Sequence, residues 1–201
     1  MSRIRRSPPV FFHGLKRSGN HAVLNWIKSD GQFRFFNNVL PLGRLAKSGR
    51  VDAIKPRFLP FYLGRRRLLI SVEDMPVDKM LFRNAPPHSR HVVLVRDPTN
   101  LFASRIRKGF LTSRPAYPKQ MDGLMHRAIS IWKEHAQLCL ANLTPSEDTI
   151  GIFFDHWLLD PDDRSAIASW LKISPSEEVL KDSEILQLRH DLIQAISRRH
   201  T

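Results

Sequence analysis

The apolar positions of this chain alternate between short continuous runs and stretches with helical spacing. Five short runs predict buried strands, over residues 10–15, 33–36, 68–73, 91–95 and 149–154. Apolar residues with a period near 3.6 predict helices over residues 22–28, 99–108 (with Thr99 as its cap), 121–143, 161–171 and 177–199, the last as a helical C-terminal tail. Continuous apolar strands that alternate with helices indicate a three-layer α/β fold around a central, mainly parallel five-stranded sheet.

The composition is that of a folded protein. The 201 residues are 42% hydrophobic and 25% charged, which predicts a single domain over residues 1–201 and excludes wholesale disorder. The one cysteine, Cys139, excludes an internal disulfide and a multi-cysteine zinc site. No apolar run approaches the roughly 20 residues of a membrane span, and Val10–Phe12 is too short for the core of a signal peptide. The sequence therefore predicts a cytoplasmic protein with neither a signal peptide nor a transmembrane segment.

The charge balance is strongly basic. Thirty-two Lys and Arg residues against 19 Asp and Glu leave a formal net charge of +13. Such a surface attracts polyanions: nucleic acid, acidic lipid headgroups, acidic glycans or phosphate-bearing cofactors. Eight basic residues and one acid lie between Leu40 and Arg67, in a stretch without clear periodicity that is expected to be a functional cover or a mobile segment. The eight are Arg44, Lys47, Arg50, Lys55, Arg57, Arg65, Arg66 and Arg67.

The segment from Gly14 to His21, G-L-K-R-S-G-N-H, follows the first predicted strand and opens a helix. Its two glycines are spaced as in a phosphate-binding loop, and the helix N-terminus adds partial positive charge. Lys16 and Arg17 add two full charges. Asn20 and His21 stand where a Walker A loop has Lys and Ser or Thr, so the hydroxyl ligand for magnesium is missing. The loop is predicted to bind an anion without a metal ion, although an ordinary helix start remains the alternative.

The residues K-R-S-G-N-H resemble the 5′-phosphosulfate loop of the sulfotransferases, P-[KR]-S-G-T-[TS]. Those enzymes transfer a sulfuryl group from 3′-phosphoadenosine 5′-phosphosulfate (PAPS). The resemblance implies that Arg17 takes the place of the family's catalytic cation and Lys16 that of its proline. It also implies that this loop binds the cofactor through Lys16, Arg17, Ser18, Gly19, Asn20 and His21. Ala22 stands where cytosolic members have an aromatic residue near the adenine, so the adenine-stacking residue is not identified.

A second segment, R-D-P-T-N-L-F-A-S, supports the same resemblance. The family holds the 3′-phosphate with an Arg at a strand end and a Ser eight residues later, and here these are Arg96 and Ser104. A guanidinium at a strand end can grip a phosphate with two hydrogen bonds. The alternatives are a salt bridge from Arg96 to Asp97 or Asp74, and a simply packed Ser104. Arg105 is a weaker phosphate candidate; the family's late R-K-G motif is absent, with Arg189 or the pair Arg198-Arg199 as substitutes.

The third strand ends in Glu73 and Asp74, which are the candidate bases. Transfer to an alcohol needs a group that accepts the hydroxyl proton, and strand alternation sends the two carboxylates in opposite directions. Glu73 is preferred because Asp74 could simply shape the turn; a capping or ion-pairing role for this acidic end is the alternative. His13 and His21 are the reserve bases. Lys16 and Arg17 would stabilise the leaving phosphate.

The resemblance extends over residues 10–172, with Asp155, His156 and Trp157 as a packed turn or a ligand contact. It implies a PAPS-dependent sulfotransferase with adenosine 3′,5′-bisphosphate as product and no metal ion. The acceptor would be a hydroxyl or amine compound, and the basic stretch favours an anionic glycan or lipid headgroup, with peripheral membrane contact. The alternatives are a small P-loop kinase, which predicts Mg²⁺-dependent ATP binding, and a basic nucleic-acid-binding module. No zinc finger, RNP motif or heptad supports the module.

Overall fold

The computed structural model describes residues 8–37, 66–77, 88–109, 118–181, 185–188, 190 and 193–194, with side chains from 123 onward in the segment that begins at 118. The basic residues between 40 and 65, Arg189 and the pair Arg198-Arg199 lie outside the described residues. No helix within the described ranges combines the length and apolar character that crossing a bilayer requires.

The centre of the fold is a parallel sheet. The strands are β1 (Val10–Gly14), β2 (Phe33–Phe36), β3 (Arg67–Glu73), β4 (Arg90–Val95) and β5 (Thr149–Phe153). They lie in the order β2-β3-β1-β4-β5, and every neighbouring pair is parallel. The predicted five-stranded parallel α/β architecture is therefore confirmed, with strand bounds within one residue of those predicted.

Helices cover both faces of this sheet. They are α1 (Asn20–Lys28), α2 (Pro98–Arg107), α3 (Pro118–Ala141), α4 (Phe154–Leu159) and α5 (Pro161–Leu171), followed by a 3₁₀ helix (Glu177–Lys181). Sequence analysis missed α4, because Phe154 continues the apolar run of β5 but begins a helix. The C-terminal stretch also differs from the prediction, since it starts as a 3₁₀ helix rather than as an α-helix.

Alternation along the strands divides the core into two faces. On one face Phe12, Leu69 and Leu94 pack with α1, α4 and α5, where Trp26 meets Trp157 edge to face at 5.7 Å. On the other face Val93 and Val95 of β4 pack against α3, and Leu15, just after β1, packs between α2 and α3. Successive strand residues point to opposite faces, so both faces of the sheet are buried, mostly by apolar side chains.

Two helices are capped by carboxylates, and α1 is not. Asp97, rather than the predicted Thr99, caps α2 by accepting from the Asn100 N–H at 2.9 Å. Asp160 caps α5 by accepting from the Asp162 N–H at 2.8 Å. The N-cap of α1 is Gly19, which offers no side chain, and the first turn of α1 holds no acid. The positive end of α1 therefore lacks the anionic partner that the other two helices have.

The structure corrects the role expected for Arg66 and Arg67. Arg67 begins β3, is buried, and donates from Nη1 to the Leu171 carbonyl at 2.7 Å. Its guanidinium also covers the Phe33 ring at 4.8 Å. Because strand residues rise about 3.3 Å each, Arg67 lies about 20 Å from Glu73, at the opposite edge of the sheet. Arg67 is therefore a structural residue of the amino edge and not an acceptor contact near Glu73, and Arg66 precedes it as an exposed residue at that edge.

Candidate active site

The candidate residues lie where β1, β3 and β4 end. Gly14 is paired with Glu73 of β3 on one side and with Leu94 of β4 on the other. The segments that follow these strands therefore leave the same edge of the sheet next to one another. In open parallel sheets this carboxyl edge is where ligands bind.

The loop from Lys16 to Gly19 makes a tight turn into α1. The Ser18 N–H donates to the Leu15 carbonyl at 3.1 Å, and both Arg17 (φ 74°) and Gly19 (φ 89°) are left-handed. A left-handed backbone costs a non-glycine residue about 1–2 kcal/mol. The contacts of Arg17 described below offset that cost.

Close packing requires both glycines of the loop. A Cβ on Gly14 would overlap the side-chain amide of Asn20, and one on Gly19 would overlap the Phe154 ring. The glycine spacing read in the sequence as a phosphate-loop feature thus also serves to seat Asn20 and the start of α4. The spacing of the glycines in the sequence does not indicate this packing role.

Polar groups near the start of α1 are left without partners. The Ser18 hydroxyl and the Asn20 Oδ1 are buried and have no hydrogen-bond partner within the part of the chain that the structure describes. Buried polar groups are usually satisfied, and exceptions often mark a functional site. Together with the uncapped N-terminus of α1, the Ser18 hydroxyl, a donor, fits the binding of an anion.

Arg17 joins the loop to the predicted 3′-phosphate residues. Its Nε donates to the Ser104 Oγ at 3.1 Å, and the Arg96 Nη1 donates to its carbonyl at 3.4 Å. Arg17 is exposed, whereas Ser104 is buried. The two segments that resemble phosphate-binding motifs therefore meet in one place.

Arg96 is held by α4 and not by the partners considered from the sequence. Its Nε lies 3.9 Å from the Asp155 Oδ1, and its guanidinium covers the Phe154 ring at 5.2 Å. Asp97 caps α2 instead, and its own N–H donates to the Asp155 Oδ2 at 3.2 Å. Burial lowers the pKa of Arg96 while Asp155 raises it; burial also raises the pKa of Asp155. Asp155 thus forms an ion pair with Arg96. The sequence placed Asp155 at the end of the fifth strand but did not indicate this pairing.

The two candidate bases have different partners. The Glu73 Oε1 accepts from the Asn20 Nδ2 at 2.8 Å, and Asn20 is the only described residue that donates to this carboxylate. Asp74, with φ 55°, turns the chain out of β3. Its carboxylate pairs with Arg105 at 2.7 Å and not with Arg96.

The other predicted residues divide between exposed and buried positions. His21, in the first turn of α1, and His156, in α4, are both exposed. Trp157 is fully buried in the core. His13 is fully buried too, and its Nε2 lies 3.1 Å from the Nδ1 of His91. Burial, and then the neighbouring His91 and His135, hold the pKa of His13 well below its usual value. A role for His13 as reserve base is therefore wrong, because no acceptor can reach it.

The described residues contain no cluster of three or more His, Cys, Asp or Glu side chains placed to hold a metal ion. The carboxyl edge carries four cations, Lys16, Arg17, Arg96 and Arg105, beside the carboxylates of Glu73, Asp74, Asp97 and Asp155.

Sequence comparison and structural comparison give different results. No family model matches the sequence, and no curated protein matches it. The fold, however, is similar to that of a mouse sulfotransferase, SULT7A1, solved in complex with PAP, with a TM-score of 0.55 and 13% identity. That match covers 92% of this chain but 63% of the mouse chain, so this chain spans less than two thirds of its length.

Two further solved structures give the same result. A sulfotransferase from Alicyclobacillus acidocaldarius has a TM-score of 0.53 and 13% identity, over 94% of this chain and 93% of that one. The sulfotransferase domain of the curacin biosynthetic pathway has a TM-score of 0.51 and 16% identity, over 88% and 78%. At such low identity the likeness concerns the fold. The parallel sheet and the helices that cover it therefore give this chain the fold of the sulfotransferases.

Proposed function

We propose that this protein is a PAPS-dependent sulfotransferase, which moves a sulfuryl group from PAPS to a hydroxyl or amine of an acceptor. The donor, when bound, supplies a sulfuryl group that leaves its 5′-phosphate as the new bond to the acceptor forms. The observation that carries the proposal is the contact of Arg17 with both Arg96 and Ser104. That contact brings together, at one edge of the sheet, the two segments that resemble phosphate-binding motifs, residues 14–21 and 96–104. These segments, separate in the sequence, are called the two phosphate-type motifs below.

The 5′ end of the donor is assigned to the loop before α1. Lys16 and Arg17 supply positive charge where a leaving phosphate gains negative charge, and such fixed charges act strongly where water is excluded. Ser18, Gly19, Asn20 and His21 surround the uncapped N-terminus of α1, whose N–H groups favour an anion. The unsatisfied, buried Ser18 hydroxyl supports this assignment.

The 3′-phosphate is assigned to Arg96 and Ser104. Asp155 and the Phe154 ring lie beside the Arg96 guanidinium, and the buried Arg96 Nε has no hydrogen-bond partner within the described residues, so it can donate to a phosphate. Ser104 already accepts a hydrogen bond from Arg17, and its hydroxyl can still donate to an oxygen of the donor.

Glu73 is assigned as the general base. Its Oε1 accepts a hydrogen bond from Asn20, which holds the carboxylate beside the loop that precedes α1. Its Oε2 is left to take the proton from the hydroxyl or amine of the acceptor. Glu73 is half-buried at the end of β3. That position, next to Gly14 at the end of β1, lies at the same edge of the sheet as Lys16 and Arg17.

Calorimetry with adenosine 3′,5′-bisphosphate tests the proposal. We expect saturable 1:1 binding that persists in EDTA, and we expect Arg17→Ala and Arg96→Ala each to weaken it at least tenfold, as loss of a charged phosphate contact predicts. The matched control is Arg127→Ala, which removes an exposed arginine of α3 and should leave the Kd unchanged. Preference for ATP with Mg²⁺ would favour a kinase, and salt-sensitive binding of nucleic acid without a nucleotide site would favour a nucleic-acid-binding module.

The acceptor class is a further part of the proposal. The net charge of +13 and the basic residues between 44 and 65 support an anionic acceptor such as an acidic glycan or a lipid headgroup. A panel of neutral and anionic hydroxyl compounds, assayed with radiolabelled donor, tests this. Transfer to neutral compounds alone would contradict it.

A further inference from the structure

A buried ion pair lies directly behind the loop. Arg105 is 6% exposed; its Nη1 donates to the Asp74 Oδ1 at 2.7 Å and its Nη2 to the Oδ2 at 3.4 Å. Removing one partner of such a pair leaves an uncompensated buried charge, which is strongly unfavourable. A pair of this kind is therefore kept together, whatever its net contribution to stability.

Both members of the pair also hold the backbone of Lys16. The Lys16 N–H donates to the Asp74 Oδ1 at 3.1 Å, and the Arg105 Nη1 donates to the Lys16 carbonyl at 3.1 Å. The peptide groups on either side of Lys16 are thus fixed from β3 and from α2. The next residue is Arg17, whose left-handed φ of 74° needs such restraint.

These contacts occupy the Asp74 carboxylate. Its Oδ1 accepts from both Lys16 and Arg105, and its Oδ2 faces the second guanidinium nitrogen. A carboxylate engaged with a guanidinium and a backbone N–H is a poor acceptor for a substrate proton. Asp74 therefore differs from Glu73, which is bound through one oxygen by a neutral amide.

We propose that Asp74 and Arg105 are positioning residues that brace the 5′-phosphate loop: they hold Lys16 and Arg17 in the turn that binds the donor, and they do not touch the reacting groups. This inference rests on the function proposed above. It removes Asp74 from the candidate bases and gives Arg105 a role other than phosphate contact. Because Ser104 binds the side chain of Arg17, one turn of α2 contacts both the Lys16 backbone and the Arg17 side chain.

Three variants test the brace: Asp74→Asn, Arg105→Met and the double variant. Asn tolerates the left-handed φ of 55° at position 74, and the double variant leaves no unpaired buried charge if a single one folds poorly. We expect each single variant to weaken binding of adenosine 3′,5′-bisphosphate at least tenfold. The double variant should be weakened by a similar factor, not by the product, because the residues act as a unit.

Specificity for the 5′ end separates bracing from general damage. Binding of adenosine 3′-monophosphate, which lacks the 5′-phosphate, should change less than threefold in the brace variants. The matched control is Arg164→Met: Arg164 is 7% exposed and binds the Trp157 and Leu158 carbonyls instead. It should lower the melting temperature without changing the ratio of the two affinities. Unchanged bisphosphate binding in Asp74→Asn would overturn the brace.

Hydrogen exchange gives a readout that does not need the nucleotide. The Lys16 amide should exchange at least tenfold faster in Asp74→Asn and Arg105→Met than in the unaltered protein or in Arg164→Met, since its hydrogen bond is lost or loosened. If the unaltered protein binds no bisphosphate, the proposed function fails, and faster exchange at Lys16 would still support the brace. Equal exchange rates in all variants would contradict it.

Discussion

Arg17 is the residue at which the constraints on the site converge. It adopts a left-handed backbone, donates to Ser104 and accepts from Arg96. Together these features join the loop before α1 to the end of β4 and to α2. The residue that aligns with the catalytic cation of the sulfotransferases is therefore also the one that links the two candidate segments.

Glu73→Gln tests the assignment of the general base. Glu73→Gln keeps an oxygen that can accept from Asn20 but removes the proton-accepting charge. We expect transfer to fall by about 10²–10⁴, as loss of a general base predicts, with less than a threefold change in the Kd for adenosine 3′,5′-bisphosphate. The assay is transfer from labelled donor to an acceptor taken from the panel.

The matched control for that change is Glu178→Gln. Glu178 is an exposed residue of the 3₁₀ helix that pairs with Lys181 at 2.6 Å, so the same chemical change there should leave transfer intact. Retention of the full rate by Glu73→Gln would assign the base elsewhere, with exposed His21 as the remaining reserve.

Among the elements, the junction between the loop and α1 is the most constrained. α1 starts at a glycine that no side chain caps, whereas α2 and α5 start at capping aspartates. The start of α4 supports this junction, because the Phe154 ring packs against Gly19 and beneath Arg96. A helix that sequence analysis missed thus joins the two phosphate-type motifs.

Gly19→Ala tests this junction. The substitution places a side chain on a left-handed backbone and against the Phe154 ring, so we expect it to abolish bisphosphate binding and to lower the free energy of unfolding by about 2–4 kcal/mol. Urea unfolding and calorimetry measure the two effects.

Gly31→Ala provides a control for backbone strain alone. Gly31 has a similar φ of 76°, but nothing lies within 4 Å of the position of its Cβ. It should cost about 1–2 kcal/mol and leave nucleotide binding unchanged. Equal losses of stability in both variants would show that contact with Phe154 adds nothing.

For the molecule as a whole, the sheet order has two consequences. It places β1 between β3 and β4, so that three strand ends share one edge. It also buries a group of histidines on the face that α2 and α3 cover: His13 and His91 stack at 5.4 Å, and the His135 Nε2 lies 2.8 Å from the Met75 carbonyl. These histidines link the stability of the fold to pH.

Stability should fall as the pH decreases from about 6.5 toward 4. Burial lowers the pKa of His13 and His135 and brings that of His91 to about 4; Asp148 opposes the change at His91, and Glu134 and Asp74 oppose it at His135. These histidines bind protons near pH 6.5 in the unfolded chain but not in the folded protein. Their contribution to the free energy of unfolding is therefore fully present above that pH and is lost as the pH falls below it. His91 alone contributes about 3 kcal/mol to the change.

Urea unfolding between pH 7.5 and pH 4 measures this dependence. His91→Gln should flatten the curve, and His21→Gln, at an exposed histidine, should leave its shape unchanged. A free energy of unfolding that stays constant over this range would mean that the three histidines are protonated in the folded protein as readily as in the unfolded chain.

Local sequence was sufficient for most elements and for the two phosphate-type motifs. Apolar runs predicted all five strands of the sheet to within one residue, because burial on both faces leaves a signal in contiguous residues. The loop before α1 and the eight-residue step from Arg96 to Ser104 were likewise readable as they stand. The end of β5 was not, since an apolar run cannot by its pattern distinguish a strand that continues from a helix that begins.

The sequence alone did not determine which charged residues form ion pairs or hydrogen bonds with each other. Asp74 pairs with Arg105, 31 positions away, and Arg67 binds Leu171 across 104 positions. Arg96 forms an ion pair with Asp155 and not with Asp97, its neighbour in the sequence. Such choices depend on the order of the strands and on the path of each loop, which set distances that spacing along the chain does not contain. Periodicity and motif spacing therefore established the type of fold and the candidate phosphate contacts, while packing alone decided that Asp74 pairs with Arg105 and that Glu73 is bound by Asn20.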